Sequence, residues 1–404
     1  MIDQKHLIFQ PAEILLPAGD LRKWRVIACD QFTSDGEYWA EVERFVGDAP
    51  SALRLMLPEY YLGRSNEAER MVQIQETMRR YLDSDVFRAY PDSLIYLERQ
   101  LSNGNVRRGL IGVIDLDAFD YSDQTEAPIR ASEHTVEDRL PPRVKVRREA
   151  ALEMPHIMLF FNDPADCLMN QAAAEADQML YDFDLMGGGG HVRGFRIQGE
   201  PAWNLAAAFS GDDAFRFAVG DGNHSLAAAR NCWLEQKQSI PEEIWPQHLA
   251  RYALVELVNI HDSGVSFEPI HRVLFDTDSS QWFDAAREKL YSAGGRAVTL
   301  ICGTDCCTIP IKGVAIGEVI DQVERFCKWY CSQYGGRIDY IHGDDETRYL
   351  SQADGCCGIL LPQMKKEELF QSVSEIGPFP KKSFSIGLGT DKRYYLECRR
   401  IKSF

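Results

Sequence analysis

The chain has 404 residues, 45% apolar and 26% charged, enough to bury a core without metal or disulfide staples. Its formal charge is −17, from 44 Lys and Arg against 61 Asp and Glu. That acid excess argues against nucleic-acid polymers and anionic membranes as partners, while leaving room for one local basic pocket.

At roughly 150 residues per domain the length predicts two or three domains. Apolar runs such as Ile157–Phe161 fall far short of the roughly 20 residues a membrane-spanning helix needs. The polar start, Met1-Ile-Asp-Gln-Lys-His6, lacks a signal peptide's apolar segment. Eleven cysteines, including the adjacent pairs Cys306-Cys307 and Cys356-Cys357, read as reduced thiols of a cytoplasmic protein. Cys327 and Cys331 share one face of a predicted helix and read as core thiols rather than zinc ligands.

In chain order, Ser34-Asp-Gly-Glu37 has the form of a capping box and opens a helix carrying Tyr38, Trp39, Val42 and Phe45. Apolar spacing at Met71, Ile74, Met78 and Leu82 predicts a helix over 66–82. Leu110–Leu116 reads as a buried strand, and 117–128 as a loop and domain boundary. A strand at Ile157–Phe161 precedes Asp163-Pro164, which has the order of a helix start. The Gly187–Gly190 run reads as a turn or a close-approach loop, since four glycines would weaken any regular element. Phe215–Val219 is a strand running into Gly220-Asp-Gly-Asn-His224 and then a helix through Leu226 and Trp233. Strands follow at Ala253–Val258 and Pro269–Phe275, then a helix near Ser280–Leu290, a cysteine-containing strand, and a helix near Glu318–Tyr330. A strand at Gly358–Leu361 and a helix at Lys365–Val373 complete the series. Alternation of strands and helices gives a mixed α/β (α+β) class, divided as 1–128, a motif-bearing 129–278, and 279–404.

Four polar clusters could carry chemistry. In Gly220-Asp-Gly-Asn-His224, Gly220 and Gly222 let a ligand approach the backbone, and the next helix offers unsatisfied amides to an anion. Asp221 there is a candidate for Mg²⁺ or proton transfer, and His224 for donation to phosphate; a plain capped turn competes. Ser132-Glu133-His134-Thr135, with Asp138-Arg139-Leu140, is either a polar site or a solvated helix start. In Pro269-Ile-His271-Arg272, strand alternation sends His271 and Arg272 to opposite faces, so at most one reaches a given pocket. Pro380-Lys-Lys382-Ser383 is the main basic patch beside a hydroxyl, with a solvated loop as the alternative. Asp344-Asp345-Glu346 near His342 is a further Mg²⁺ candidate, set against an ordinary acidic loop. No GxSxG, GxxxxGK[ST] or GxGxxG occurs.

These clusters, in this order, resemble the bacterial and archaeal family called domain of unknown function 1015. Its His-Glu-x-Thr and Asp-Arg-Leu segments are similar to Glu133-His134-Thr135 and Asp138-Arg139-Leu140, and its Ala-Asp-Gly-His-His-Arg to Gly220-Asp221-Gly222-Asn223-His224-Ser225. Its Pro-x-His-Arg and Pro-x-Lys-Ser are similar to the clusters at 269–272 and 380–383. The order at Glu133-His134 is reversed, Asn223 replaces a histidine and Ser225 replaces an arginine. The central element is also similar to the ParB/sulfiredoxin-like superfamily, whose members place it at a helix N-terminus to bind nucleotide phosphates.

The resemblance implies a ParB/sulfiredoxin-like strand-turn-helix core with flanking α/β regions, and a nucleotide- or phosphate-binding phosphotransferase or phosphohydrolase acting on a small polar metabolite. Glu133, His134, Asp221, His224 and His271 are then the expected catalytic groups, with Mg²⁺ on Asp221. Gly220, Gly222, Asn223, Arg139, Arg272, Lys382 and Ser383 are the expected phosphate or nucleotide contacts. With arginine lost at Ser225, the phosphate contact falls to Arg139, Arg272 or Lys382. A non-catalytic ligand-binding or sensor protein on the same scaffold is the alternative. The expected partner is a small phosphorylated metabolite or nucleotide.

Overall fold

A computed structural model describes residues 7–137, 140–154, 157–211, 213–388 and 391–402. The architecture is mixed α/β, built on one 11-stranded and one 6-stranded sheet. In the large sheet the strands run in the order Gln178–Asp184, His191–Gln198, Phe87–Gln100, Val106–Asp115, Tyr252–Asn259, Met158–Phe161, Phe217–Asp221, Ile129–Ala131 and Phe119–Asp120. Alternation decides which face each side chain joins. Ile95, Leu97, Ile111 and Val113 pack with Trp24, Trp39, Ile74 and Met78 of the N-terminal helices. Leu94, Tyr96, Leu110 and Ile114 pack on the other face with Phe209, Leu226 and Trp233. Because both faces are covered, the central strands carry unbroken apolar stretches such as Leu94–Leu97 and Met158–Phe161.

The smaller sheet orders Asp305–Ile311, Tyr291–Cys302, Cys357–Leu360, Phe267–Phe275 and Arg337–His342, with Phe384–Ile386 beside Phe267–Phe275. Trp282, Val319, Val323 and Phe326 back it from the helices Ser279–Leu290 and Ile316–Tyr334. An aromatic chain joins the two sheets: Phe160 to Phe267 at 5.7 Å, Phe267 to Phe384 at 5.1 Å, and Phe384 to Phe379 at 5.4 Å between centroids. This docking brings the 379–386 segment to the end of the large sheet. Among the described residues no helix is long and apolar enough to cross a membrane.

Most expected elements form, with shifted ends. The first capping pattern starts one residue later: Asp35, not Ser34, caps Gly36–Val46, its carboxylate accepting from Tyr38 N at 3.0 Å. The helix expected at Asp163-Pro164 begins at Cys167, although the Asp163 carboxylate still accepts from Leu168 N at 2.8 Å. Gly187–Gly190 turns the chain between Gln178–Asp184 and His191–Gln198. One thiol expectation is corrected. Cys302 and Cys357 face each other across paired antiparallel strands, Cα atoms 4.6 Å apart, and are joined by a disulfide.

Candidate functional site

Two strands build the site because they run parallel. Phe217–Asp221 and Ile129–Ala131 pair in parallel, so their chains leave the sheet at the same edge, where ligands of α/β sheets bind. One exit carries Gly220-Asp-Gly-Asn-His224, the other Ser132–Val136. Gly220 packs so tightly that a Cβ would lie 2.6 Å from the Phe160 ring. Gly222 turns the chain with φ +84° and opens the helix Asn223–Lys237.

The helix start and the neighbouring segment then hold each other. Asn223 Oδ1 accepts from Ser132 N at 3.3 Å, and His224 Nε2 accepts from Val136 N at 3.1 Å. Accepting there makes the His224 ring a neutral imidazole protonated on Nδ1. The other side of Ser132–Val136 meets the chain arriving from the small sheet. Phe379 N donates to Ser132 O at 2.7 Å, His134 N to Phe379 O at 2.9 Å, and Ser383 N to Glu133 Oε1 at 3.2 Å.

Between these segments lies a cleft of about 760 Å³, whose wall includes Glu133, Gly220–Ser225, His342, Lys382 and Lys392. Burial pushes the Glu133 carboxyl up to about 7, against backbone N–H groups of Ser383 and Lys382 and the Lys392 ammonium, which pull it down. Lys392 Nζ donates to Asp221 Oδ2 at 2.9 Å. Burial works against its charge, but Asp221, Asp30 and Glu133 outweigh it and leave the ammonium pKa raised. Burial, reinforced by Lys382 and Lys392, lowers the pKa of His342. Lys382 adopts φ +56° and sets its ammonium 5.1 Å from the centre of the Tyr340 ring. At the rim, Phe32 also lines the cleft, with φ +52°, stacked on Tyr38 at 3.9 Å.

The structure thus brings together Glu133, Gly220, Asp221, Gly222, Asn223, His224 and Lys382. Ser383 stays buried, its hydroxyl donating to Pro380 O at 2.6 Å and its amide to Glu133. His134 points elsewhere, paired with Asp123 at 3.0 Å on the surface. His271 and Arg272 are fully buried in the small sheet, and neither lines the cleft. Leu361 N donates to His271 Nδ1 at 3.0 Å, so Nε2 carries the proton and donates to Asp344 at 2.8 Å. Arg272 pairs with Glu324 at 3.0 Å and donates through Nη1 to Lys382 O at 3.1 Å, bracing the lysine loop from behind. Arg139, with Asp138, lies outside the described residues. Arg143, beside Ser225 on the cleft wall, is ion-paired with Glu59.

Metal ligation fares less well. Among the described residues no group of three His, Cys, Asp or Glu side chains could hold an ion. Asp221 already balances the Lys392 ammonium, and Asp344 is committed to His271, so neither fits a protein-held Mg²⁺. Lys392 and Phe32 were missed from sequence, and His342 was noted only beside a Mg²⁺ candidate. A lysine two residues after Thr390 carries no local motif, and only the fold places it on Asp221.

A family model described as protein of unknown function (DUF1015) matches residues 9–401. Comparison with curated proteins gives no match. Among solved structures, the chain is similar to SbnI of Staphylococcus aureus with a C-terminal truncation, at 11% identity and TM-score 0.38, over 69% of this chain and 82% of that one. It is also similar to a conserved hypothetical protein from Pyrococcus furiosus, at 13% identity and TM-score 0.37, over 68% and 90%. A free serine kinase in complex with AMP is similar at 12% identity and TM-score 0.39, over 72% and 91%.

Proposed function

The chain belongs to the DUF1015 family, and from its cleft we propose a phosphotransferase or phosphohydrolase that binds a nucleotide or other phosphorylated ligand and acts on a small polar metabolite. One observation carries this reading. Lys382, Lys392 and the start of the helix Asn223–Lys237 share a cleft with a carboxyl whose pKa is about 7. The cleft volume, about 760 Å³, suits a nucleotide-sized ligand.

In this reading the phosphate sits against the first amides of that helix, where N–H groups lack intrahelical partners. Gly220 and Gly222 keep side chains out of its way. Lys382 and Lys392 neutralise charge that builds on the transferring group. Glu133 takes the proton from the attacking hydroxyl as its oxygen bonds to phosphorus. The bond from phosphorus to the leaving oxygen breaks, and the ammonium groups meet the charge released. Water in place of the metabolite hydroxyl gives hydrolysis. A base with pKa near the working pH is efficient in both directions. Asp221, being paired, serves to fix Lys392 rather than to hold Mg²⁺. Arg272 acts from outside, by holding Lys382. A cytoplasmic location and a ParB/sulfiredoxin-like ancestry of the strand-turn-helix belong to the same proposal.

A sensor without turnover is favoured by one feature: the ring of His224 and the carboxylate of Asp221 are engaged in holding the structure. Thermal-shift titration with ATP, ADP, CTP and pyrophosphate, with and without Mg²⁺, separates the readings. Stabilisation by at least one of these ligands, followed by product in a coupled assay, supports the enzyme. Stabilisation with no product over hours selects the sensor, and no stabilisation by any of them refutes both.

A further inference from the structure

Away from the cleft, a small cavity of about 30 Å³ lies in the core beside the large sheet. Four guanidinium groups, from Arg25, Arg99, Arg107 and Arg393, face two carboxylates, from Glu256 and Glu397. None of the six is more than 5% exposed. Arg393 pairs with Glu256 at 2.7 Å and stands 3.6 Å from Glu397. The Glu397 carboxylate also accepts from Tyr181 OH at 2.5 Å.

The remaining polar atoms do not balance. Arg25 Nε and Nη1, Arg107 Nε and Arg393 Nε are buried donors without a partner, against one orphaned acceptor, Glu256 Oε1. Arg107 Nε and Glu256 Oε1 are 3.8 Å apart, too far to satisfy each other. Asp391 adds a third carboxylate near Arg99, but its oxygens already take Ser102 N, Ser102 Oγ and Leu388 N. With it, the groups lining the cavity number four cations against three anions. Asp20 and Asp184 also attract Arg25 from outside it, Asp20 while paired with Arg22 and Asp184 while paired with His191. Burial lowers Arg99 only to about 9, which leaves it charged at neutral pH. An unbalanced charge and several unpaired N–H groups are strongly disfavoured in a core.

We propose that this cavity is a binding site for one monovalent anion of halide size, held by the free N–H groups of Arg25, Arg107 and Arg393. Its volume, about 30 Å³, is small, which favours a halide over a larger oxyanion. A water in the same place offers two acceptor sites to four donors and leaves the charge excess untouched. The site also has a mechanical role. Arg99 Nη1 donates to the main-chain oxygens of Asp391 at 2.8 Å and Lys392 at 2.6 Å. Arg393 is the next residue, and Lys392 is the one that reaches Asp221 in the cleft. An anion among the guanidiniums therefore steadies the loop that delivers Lys392, whatever ligand the cleft itself takes.

The test uses the full chain exchanged into sodium gluconate and titrated with sodium bromide at constant ionic strength. The expected result is a saturable rise in melting temperature with bromide, none with sulfate, and an at least tenfold weaker bromide response in Arg25→Met. Crystals soaked in bromide report the same site on the unaltered protein, as an anomalous peak bounded by Arg25, Arg107 and Arg393. Water density without an anomalous peak overturns the proposal. So does a bromide response that Arg25→Met leaves unchanged, because the ion then binds elsewhere.

Discussion

Glu133→Gln removes a charge while keeping shape, and its effect on stability depends on pH in a calculable way. The Glu133 carboxyl moves from an ordinary 4.5 to about 7 on folding, chiefly through burial. Between those values the folded chain holds a proton that the unfolded chain has released, so stability falls as pH rises through the window. Above about 7 both states are ionised and the loss is complete. At about 1.4 kcal/mol per pH step, the total is about 3 kcal/mol, an upper figure because the group borders an open cleft. The glutamine variant carries no such penalty, and its amide oxygen still accepts from Ser383 N. Urea unfolding of both proteins at pH 5, 6, 7 and 8 should show the variant gaining relative stability up to pH 7 and then levelling. In parallel, the wild-type rate should climb through pH 7 to a plateau as Glu133 ionises, and the variant should bind ligand without turning it over. A stability difference that stays constant with pH would refute the buried carboxyl, and with it the base assigned to this residue.

Three other perturbations test the remaining parts. Lys392→Met removes a charged donor worth about 1.5–3 kcal/mol, roughly tenfold to a hundredfold in pyrophosphate affinity by calorimetry. It also removes a group that pulls Glu133 down, so the midpoint of the rate profile should move above 7. Arg272→Met leaves the buried Glu324 carboxylate with only Lys328 at 3.3 Å and the Tyr340 hydroxyl, and should cost up to about 3 kcal/mol in chemical denaturation; a cost near zero would mean that the small sheet does not depend on this pair. Phe32→Ala should weaken ATP binding by about 1–3 kcal/mol if the rim ring stacks on a base, while pyrophosphate binding stays unchanged. Equal losses for both ligands would argue against stacking.

Much of the candidate cleft was legible because its residues are locally odd. Glycines flanking an aspartate between a strand and a helix, or two lysines beside a serine, have few ordinary explanations. His271 and Arg272 look equally odd, yet they serve the core. Strand alternation correctly sends them to opposite faces, but sequence does not say that Asp344 and Glu324 wait on those faces. Lys392 went unread for the converse reason, since its partner Asp221 lies 171 residues away. The strands Gln178–Asp184 and His191–Gln198 were also missed. Much of their length is polar or exposed, so apolar alternation is faint and their place is set by pairing with each other and with Phe87–Gln100. The disulfide follows from register alone, which no cysteine spacing encodes.

The contact between Ser383 and Glu133 spans 250 residues. During synthesis the first wall of the cleft emerges long before the last. A nascent chain that has already folded its central sheet still presents Ser132–Val136 with one edge open, and holds neither Lys382 nor Lys392. Closing so long a loop is slow compared with forming local structure. Until that happens the growing chain lacks the finished cleft, so the phosphate binding proposed for it would be acquired only when the segments around 383 and 392 arrive.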